Sequence, residues 1–294
     1  MPFELTPIDY AEIAIIAAGV MIILSVALHA LRHNRLSEFL QLPKGPEHNL
    51  QPVDLLITGF AFTSMFIVAY KFWSIFFETP VTSQPASQPS ESELVEPQKT
   101  LAAITGHVVN CVILSLIGWD RFRRNLANWG ISFRSMPRQV YRAVICYIAI
   151  WPVCYGALYL AIFVHVWLYG DTPPEHTAIE TLKGVETPIW IKTATIVSAV
   201  GLVPILEELF FRGLLLPALS KWLCSEWNAI LLSGLIFGLV HIPLYHHIPA
   251  LIIFGILLGY VYARTRSLTL VILIHAVFNA KTILWLFLME GEKG

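Results

Sequence analysis

The chain has 294 residues, of which 56% are hydrophobic and only 13% are charged, and its mean hydropathy is +0.66. Soluble domains carry about 25% charged residues, so this composition excludes an ordinary soluble domain. A formal net charge of −1 with 12% aromatic residues excludes a disordered chain and a nucleic-acid-binding protein. We therefore predict an all-α polytopic membrane protein whose partners include membrane lipids and no nucleic acid.

Eight apolar stretches reach the length of a transmembrane helix, because about 20 residues cross about 30 Å of hydrocarbon at 1.5 Å each. The stretches are residues 10–31, 54–77, 101–119, 143–168, 190–216, 227–245, 249–263 and 268–288. No soluble domain fits between them. About eight transmembrane helices are therefore expected.

Basic and acidic residues alternate from one connection to the next. The basic residues that follow the first, third, fifth and seventh stretches are Arg32, Arg35, Lys44, Arg121, Arg123, Arg124, Arg134, Arg138, Arg142, Lys221, Arg264 and Arg266. The remaining connections hold mainly Glu and Asp. Because short cytoplasmic loops are rich in Lys and Arg, the alternation predicts a multi-pass protein of the cell membrane with both termini outside.

Two polar segments interrupt the apolar stretches. Residues 78–100 are rich in Ser, Pro, Gln and Glu, which predicts a flexible external loop. This loop would complete an N-terminal part, residues 1–100, that holds two transmembrane helices, and would leave residues 101–294 as the core. Residues 175–184, between two proline clusters, have the pattern of a short amphipathic helix lying at the membrane surface.

Three charged residues lie close together in the fifth stretch, in the sequence VPILEELFFRG. Charges inside a span are costly and mark function by default. Glu208 and Arg212 are four residues apart on one helix face, which predicts a buried ion pair. Glu207 is turned about 100° from Glu208 at 3.6 residues per turn, so it is free to act as a general base or acid. Pro204 lacks an N–H, which frees the Val200 carbonyl and predicts a kink.

Two further pairs at helical spacing lie in the next helices. FGLVH places Phe237 one turn before His241, and HAVFN places His275 one turn before Asn279. A His N–H and an Asn amide on one face are donors suited to stabilising an oxyanion. Counting from the ends of the stretches puts His241 about 9 Å nearer the outer face than Glu207.

These polar residues supply a base, an imidazole and two donors from three helices, with no Ser or Cys nucleophile beside a His. Such a set suits a carboxylate-activated water that hydrolyses an amide within the membrane. A zinc metalloprotease is an alternative, since two Glu and two His can bind Zn²⁺. HExxH is absent, however, and Asn279 is a poor zinc ligand, so we predict neither a metal nor another cofactor.

The sequences EELFFRG, FGLVH and HAVFN resemble the EExxxR, FxxxH and HxxxN motifs of the CAAX-protease and bacteriocin-processing family, which includes the type II CAAX prenyl endopeptidases. The resemblance covers about residues 188–285 and implies a glutamic intramembrane protease with a membrane-embedded catalytic cavity. It implies that Glu207 and His241 activate water, and that His275 and Asn279 form the oxyanion site. Glu208 and Arg212 match supporting positions. The implied substrate is a peptide or a lipidated peptide.

A non-enzymatic protein is the remaining alternative, either a transporter with a proton-relay carboxylate or a bacteriocin-immunity protein. Transporters often show repeated halves with broken helices, and no such repeat is visible in this sequence. Lys71 and Lys281 lie toward the outer ends of their stretches, so we expect their amines to reach the membrane surface.

Overall fold

All regular structure is helical in residues 6–77, 91–173, 177–184 and 187–291, which are the residues that the computed structural model describes. The α-helices are α1 (Pro7–Arg32), α2 (Leu36–Leu40), α3 (Pro52–Phe77), α4 (Glu91–Arg121), α5 (Met136–Tyr169), α6 (Thr177–Lys183), α7 (Ile189–Val197), α8 (Val203–Phe210), α9 (Leu216–Leu223), α10 (Glu226–Leu239), α11 (Ile248–Thr265) and α12 (Leu268–Gly291). Two π-helical turns, Ser198–Leu202 and Phe211–Leu215, join α7, α8 and α9 into one run, and a 3₁₀ helix, Ile242–His247, links α10 to α11. The predicted all-α class is confirmed.

Seven helical runs within the described residues are long and apolar enough to cross a membrane. They are Pro7–Arg32, Pro52–Ile75, Pro97–Arg121, Met136–Tyr169, Ile189–Leu223, Leu244–Thr265 and Leu268–Met289. The prediction of a continuous sixth span over 227–245 is wrong, because α10 ends at Leu239 after 14 residues, or about 21 Å. Pro243 has no N–H to donate to the Leu239 carbonyl, and the chain continues as the 3₁₀ helix.

The basic connections meet at one end of the helix bundle. Arg266, between α11 and α12, lies 3.1 Å from Glu226 at the start of α10. Arg123, after α4, lies 2.9 Å from Glu47, and Lys221 of α9 lines the same cavity as these residues. We call this region the basic end. Because α10 begins where α11 ends, the two helices are antiparallel. The prediction that these basic connections lie at the same end is confirmed. Which end faces the cytoplasm stays a prediction.

The polar segments are only partly described. Residues 78–90 of the predicted external loop lie outside the described residues. Residues 91–100 belong to α4, so the prediction of a loop over these residues is wrong. Apolar composition marks where a chain enters hydrocarbon, and good helix formers such as Gln98 and Lys99 extend a helix beyond that point. The helix expected over 175–184 is confirmed as α6. Its place at the membrane surface, and the division of the chain at residue 100, stay predictions.

Close helix packing places a backbone carbonyl beside the predicted site. A Cβ on Gly255 of α11 would lie 3.0 Å from the Cα of Gly234 in α10, so these two helices touch where neither has a side chain. The Gly255 carbonyl accepts a 2.8 Å hydrogen bond from Arg212. Helix α12 contacts α8 and the first π-helical turn, and the Phe237 ring of α10 packs against His275 of α12, so the three motifs lie in one place.

Candidate active site

The helix that carries both glutamates, α8, begins directly after a π-helical turn, a feature that often marks functional sites. Pro204 has no N–H, and in the π-helical register its missing bond is to the carbonyl five residues earlier. That carbonyl, of Ala199, accepts a 2.8 Å hydrogen bond from Asn279 Nδ2. The sequence predicted a free carbonyl at Val200. The carbonyl that accepts a hydrogen bond from outside the helix is that of Ala199, because a π-helical turn pairs residues five apart instead of four.

A backbone carbonyl in the π-helical turn that follows α8 also accepts a hydrogen bond from a side chain outside the run. The indole N–H of Trp129 donates to the Gly213 carbonyl in this turn at 2.9 Å. A Cβ on Gly213 would lie 2.9 Å from that indole nitrogen, so glycine allows the contact. Side chains from outside the run therefore satisfy backbone groups at both ends of α8 and hold the helix in place.

Glu208 belongs to a buried network of charged and polar side chains. Arg212 Nη1 donates to Glu208 Oε1 at 2.7 Å, and both side chains are fully buried. His275 Nδ1 lies 2.8 Å from the same oxygen, and it is the donor because a carboxylate can only accept. The predicted Glu208–Arg212 pair is confirmed. His275 is a third member that helical spacing did not reveal.

Glu207 faces two imidazole rings instead. His241 Nε2 lies 3.9 Å from Glu207 Oε1, and His275 Nε2 lies 3.9 Å from Glu207 Oε2. The side chains of Glu207 and His241 are 16% and 25% exposed, so this side of the site is not sealed. His241 Nδ1 donates 2.8 Å to the Phe237 carbonyl, and the Phe237 ring packs edge-on against His275. Phe237 therefore orients both histidines.

The groups around Glu207 converge as hydrogen-bond acceptors. When Nδ1 carries the proton of a neutral imidazole, Nε2 carries a lone pair, as do the oxygens of an ionised carboxylate. A separation of 3.9 Å is too long for a hydrogen bond but suits one bridging molecule with two donors, such as water. Two carboxylates and one guanidinium also leave one uncompensated negative charge in the cluster.

The 9 Å offset counted from the sequence does not keep His241 and Glu207 apart, since their side chains approach to 3.9 Å. The count assumed that the helix continues through His241, whereas α10 ends at Leu239 and His241 lies beyond it. Asn279 is near these residues but gives one amide hydrogen to Ala199. An amide has two such hydrogens, so the oxyanion role of Asn279 stays a prediction.

A serine lies beside a histidine in the membrane-spanning part, contrary to expectation. Ser198 Oγ is 3.1 Å from His107 Nδ1, and Ser198 is only 7% exposed. The two residues are 91 positions apart, so the sequence pattern could not reveal the contact. It arises because α4 packs against the first π-helical turn.

The expectation that Lys281 reaches the membrane surface is also wrong. Its Nζ lies 2.7 Å from Glu12 Oε2 of α1, and its side chain is 10% exposed. The same ammonium lies 3.8 Å from the ring centre of Trp151, while the Trp151 indole donates to the other oxygen of Glu12 at 2.6 Å. A carboxylate and an aromatic face thus replace the water that Lys281 would find at the surface.

Among the described residues, no three His, Cys, Asp or Glu side chains form a group that could hold a metal ion. A cavity of about 570 Å³ lies at the basic end, and an apolar one of about 450 Å³ lies beside Trp119 and Leu202. Neither is lined by Glu207, so the predicted catalytic cavity stays a prediction.

One segment of the chain contains all three motifs and resembles a known family. Residues 188–281 match the family model for type II CAAX prenyl endopeptidases of the Rce1-like kind. The predicted resemblance is confirmed. The matching segment is about a third of the chain and contains every residue of the candidate site; no curated protein and no solved structure matches the chain. The chain is thus an integral multi-pass membrane protein with the motif region of a protease family.

Proposed function

We propose that this protein is an intramembrane endopeptidase in which Glu207 and His241 activate a water molecule. The convergence of Glu207 with two imidazole nitrogens supports this proposal most directly. Neighbouring Glu208 is neutralised by Arg212 at 2.7 Å, whereas Glu207 has no guanidinium or ammonium partner in the described residues. An uncompensated carboxylate close to an imidazole is suited to general-base catalysis.

In the proposed reaction, the water directs one hydrogen to Glu207 and the other to His241 Nε2. Its free lone pair then attacks the carbonyl carbon of the scissile peptide, while Glu207 takes a proton from the water. The carbonyl oxygen becomes an oxyanion. When the C–N bond breaks, the proton passes from Glu207 to the leaving nitrogen, so that the products are a carboxylic acid and an amine.

Stabilisation of the oxyanion falls to His275 and Asn279. His275 gives its Nδ1 hydrogen to Glu208, so it donates from Nε2 only when the ring is protonated. Asn279 would use the amide hydrogen that does not bond to Ala199. Glu208 and Arg212 then act by holding His275 in place, without touching the substrate.

The proposed substrate is a peptide that enters the membrane, either by its own apolar character or through a lipid chain. The position of Glu207 within a membrane-spanning run supports this class, as does the match to a CAAX-type protease family. Processing at a CAAX-type C-terminus of a prenylated peptide is the specific form that we propose to test first.

The test uses protein in liposomes and a fluorogenic CAAX-type peptide, with and without its lipid chain. We expect the lipidated peptide to be cleaved, Glu207→Gln to abolish cleavage, and Ser198→Ala to retain it. Ser198→Ala is the matched control because it removes the serine that lies beside His107. Cleavage that survives Glu207→Gln but is lost in Ser198→Ala would replace the glutamate mechanism with a serine mechanism.

A zinc-dependent protease is the alternative that the sequence left open, although no group of three possible ligands forms among the described residues. We expect cleavage to survive dialysis against a strong chelator, and purified protein to contain no stoichiometric zinc. Loss of cleavage that only added Zn²⁺ restores would favour the zinc mechanism.

A further inference from the structure

The cavity at the basic end is a second candidate site, remote in sequence from the motifs. Its volume of about 570 Å³ falls within the range of small-molecule sites, roughly 300–1,000 Å³. Four segments line it: residues 44–49, Arg123, residues 217–226 and Arg266. Because each segment contributes few residues, no sequence motif marks this cavity.

The two carboxylates that line the cavity are already paired. Glu47 lies 2.9 Å from Arg123, and Glu226 lies 3.1 Å from Arg266. The Nε of Arg266 is buried and has no hydrogen-bond partner in the part of the chain that the structure describes. These four residues therefore contribute no net charge. They leave one unused donor, Arg266 Nε, and one unused acceptor, Glu226 Oε2.

Two lysines supply the excess positive charge. Lys44 has no ion pair or hydrogen bond among the described residues, and Lys221 makes only a 3.5 Å contact with the Leu50 carbonyl. His48 adds no charge in its present arrangement, since its Nε2 donates to the Pro217 carbonyl and its Nδ1 accepts from the Leu50 N–H. The cavity thus carries about two uncompensated positive charges beside the N-terminus of α10, whose dipole has the same sign.

The cavity lies where membrane-spanning helices end. One span, Ile189–Leu223, ends at this cavity, and Arg266 lies between Leu244–Thr265 and Leu268–Met289. The ends of spans lie at the level of lipid headgroups, where basic pockets between helices bind anionic lipids. We propose that Lys44 and Lys221 bind the phosphate of an anionic phospholipid headgroup in this cavity. The proposal does not depend on the proteolytic function.

The test measures binding of short-chain phosphatidylglycerol and phosphatidylcholine to the detergent-purified protein by native mass spectrometry. We expect phosphatidylglycerol to bind about 30-fold more weakly to Lys44→Ala/Lys221→Ala, which corresponds to about 2 kcal/mol at 1.4 kcal/mol per tenfold. The matched control is Lys71→Ala/Lys99→Ala, which removes the same charge from exposed lysines outside the cavity. Unchanged melting temperatures would establish that both double variants are folded.

The outcomes separate the possible occupants. Weaker binding in the cavity variant alone, with little phosphatidylcholine bound to any protein, supports the proposal. Equal weakening in both double variants would show attraction to overall charge and overturn it. Competition by inorganic phosphate at the same concentration as the lipid would assign the cavity to free phosphate and overturn the lipid assignment.

Discussion

Two buried charge clusters lie among the membrane-spanning helices, and they differ in whether every charge is balanced. The motif cluster consists of Glu207, Glu208, Arg212, His241 and His275; the α1–α12 cluster consists of Glu12, Lys281 and Trp151. The second cluster has one carboxylate and one ammonium. The first has two carboxylates and one guanidinium, with the extra carboxylate partly exposed beside two imidazoles.

A buried charge among the membrane-spanning helices is therefore not by itself a sign of catalysis. In the α1–α12 cluster the indole donates a hydrogen bond to one oxygen of Glu12, and the ammonium forms an ion pair with the other. This makes a structural contact between the N-terminal helix and α12. In the motif cluster the spacing of EExxxR gives the adjacent glutamates different partners. Glu208 is paired with Arg212, whereas Glu207 faces two imidazole rings.

The largest effect on stability is expected when the Glu208–Arg212 pair is broken from one side. Glu208→Gln or Arg212→Met leaves an unpartnered buried charge, and each should destabilise the protein by about 3–5 kcal/mol. The Glu208→Gln/Arg212→Met double variant should recover part of this loss. Melting temperatures in detergent measure the cycle, and Glu207→Gln should show no coupling to Arg212→Met. Coupling of Arg212 to Glu207 would reverse the assignment of the two glutamates.

Asn279→Ala should lower turnover by about 10²–10³-fold with little change in KM, as expected for one oxyanion donor. The hydrogen bond to Ala199 offers a structural explanation for any loss. Trp129→Phe is the control because it removes the comparable bond to Gly213 at the other π-helical turn. It should lower the melting temperature with turnover largely retained. An equal loss of turnover in both variants would make Asn279 a structural residue.

Substitutions in the α1–α12 cluster should change the stability of the protein and not its turnover. Glu12→Gln or Lys281→Met should each destabilise the protein by about 2–3 kcal/mol, below the fully buried case because both side chains are 10% exposed. The double variant should recover part of the melting temperature. Cleavage per folded molecule should stay near that of the unchanged protein. A drop in turnover without loss of stability would give this cluster a catalytic role.

His48, outside both clusters, should produce the smallest effect. Burial lowers the pKa of His48 below its ordinary 6.5, and the charge of Lys221 acts in the same direction, against the Pro217 carbonyl and Glu226. The unfolded chain therefore binds more protons between the two pKa values, so stability is lost as pH falls below about 6.5. His48→Gln should flatten the melting temperature over this interval. An identical pH profile would exclude a contribution from His48.

Local spacing predicted the parts of the molecule that depend on local geometry. The Glu208–Arg212 pair followed from a four-residue separation on one helix, and the grouping of basic connections followed from alternating charge. Spacing could not predict the Glu12–Lys281 pair, because those residues lie 269 positions apart and meet only through packing. The contact between Ser198 and His107 escaped prediction for the same reason.

The sequence also did not reveal where the helices are interrupted. Hydropathy continues past Leu239, but Pro243 removes the next helical hydrogen bond, so the predicted sixth span breaks. At Pro204 the existence of a free carbonyl was predictable, yet its identity depended on a π-helical register that composition does not encode. In both places proline was the correct signal, and the surrounding packing determined the result.

The central claim is that two adjacent glutamates have different tasks, and one paired measurement tests it most directly. Peptide cleavage and melting temperature should be measured together for Glu207→Gln and Glu208→Gln. The account predicts that Glu207→Gln loses cleavage with an unchanged melting temperature, whereas Glu208→Gln lowers the melting temperature and keeps measurable cleavage at a temperature where it is folded. An active Glu207→Gln enzyme, or a stable but inactive Glu208→Gln enzyme, would contradict the claim.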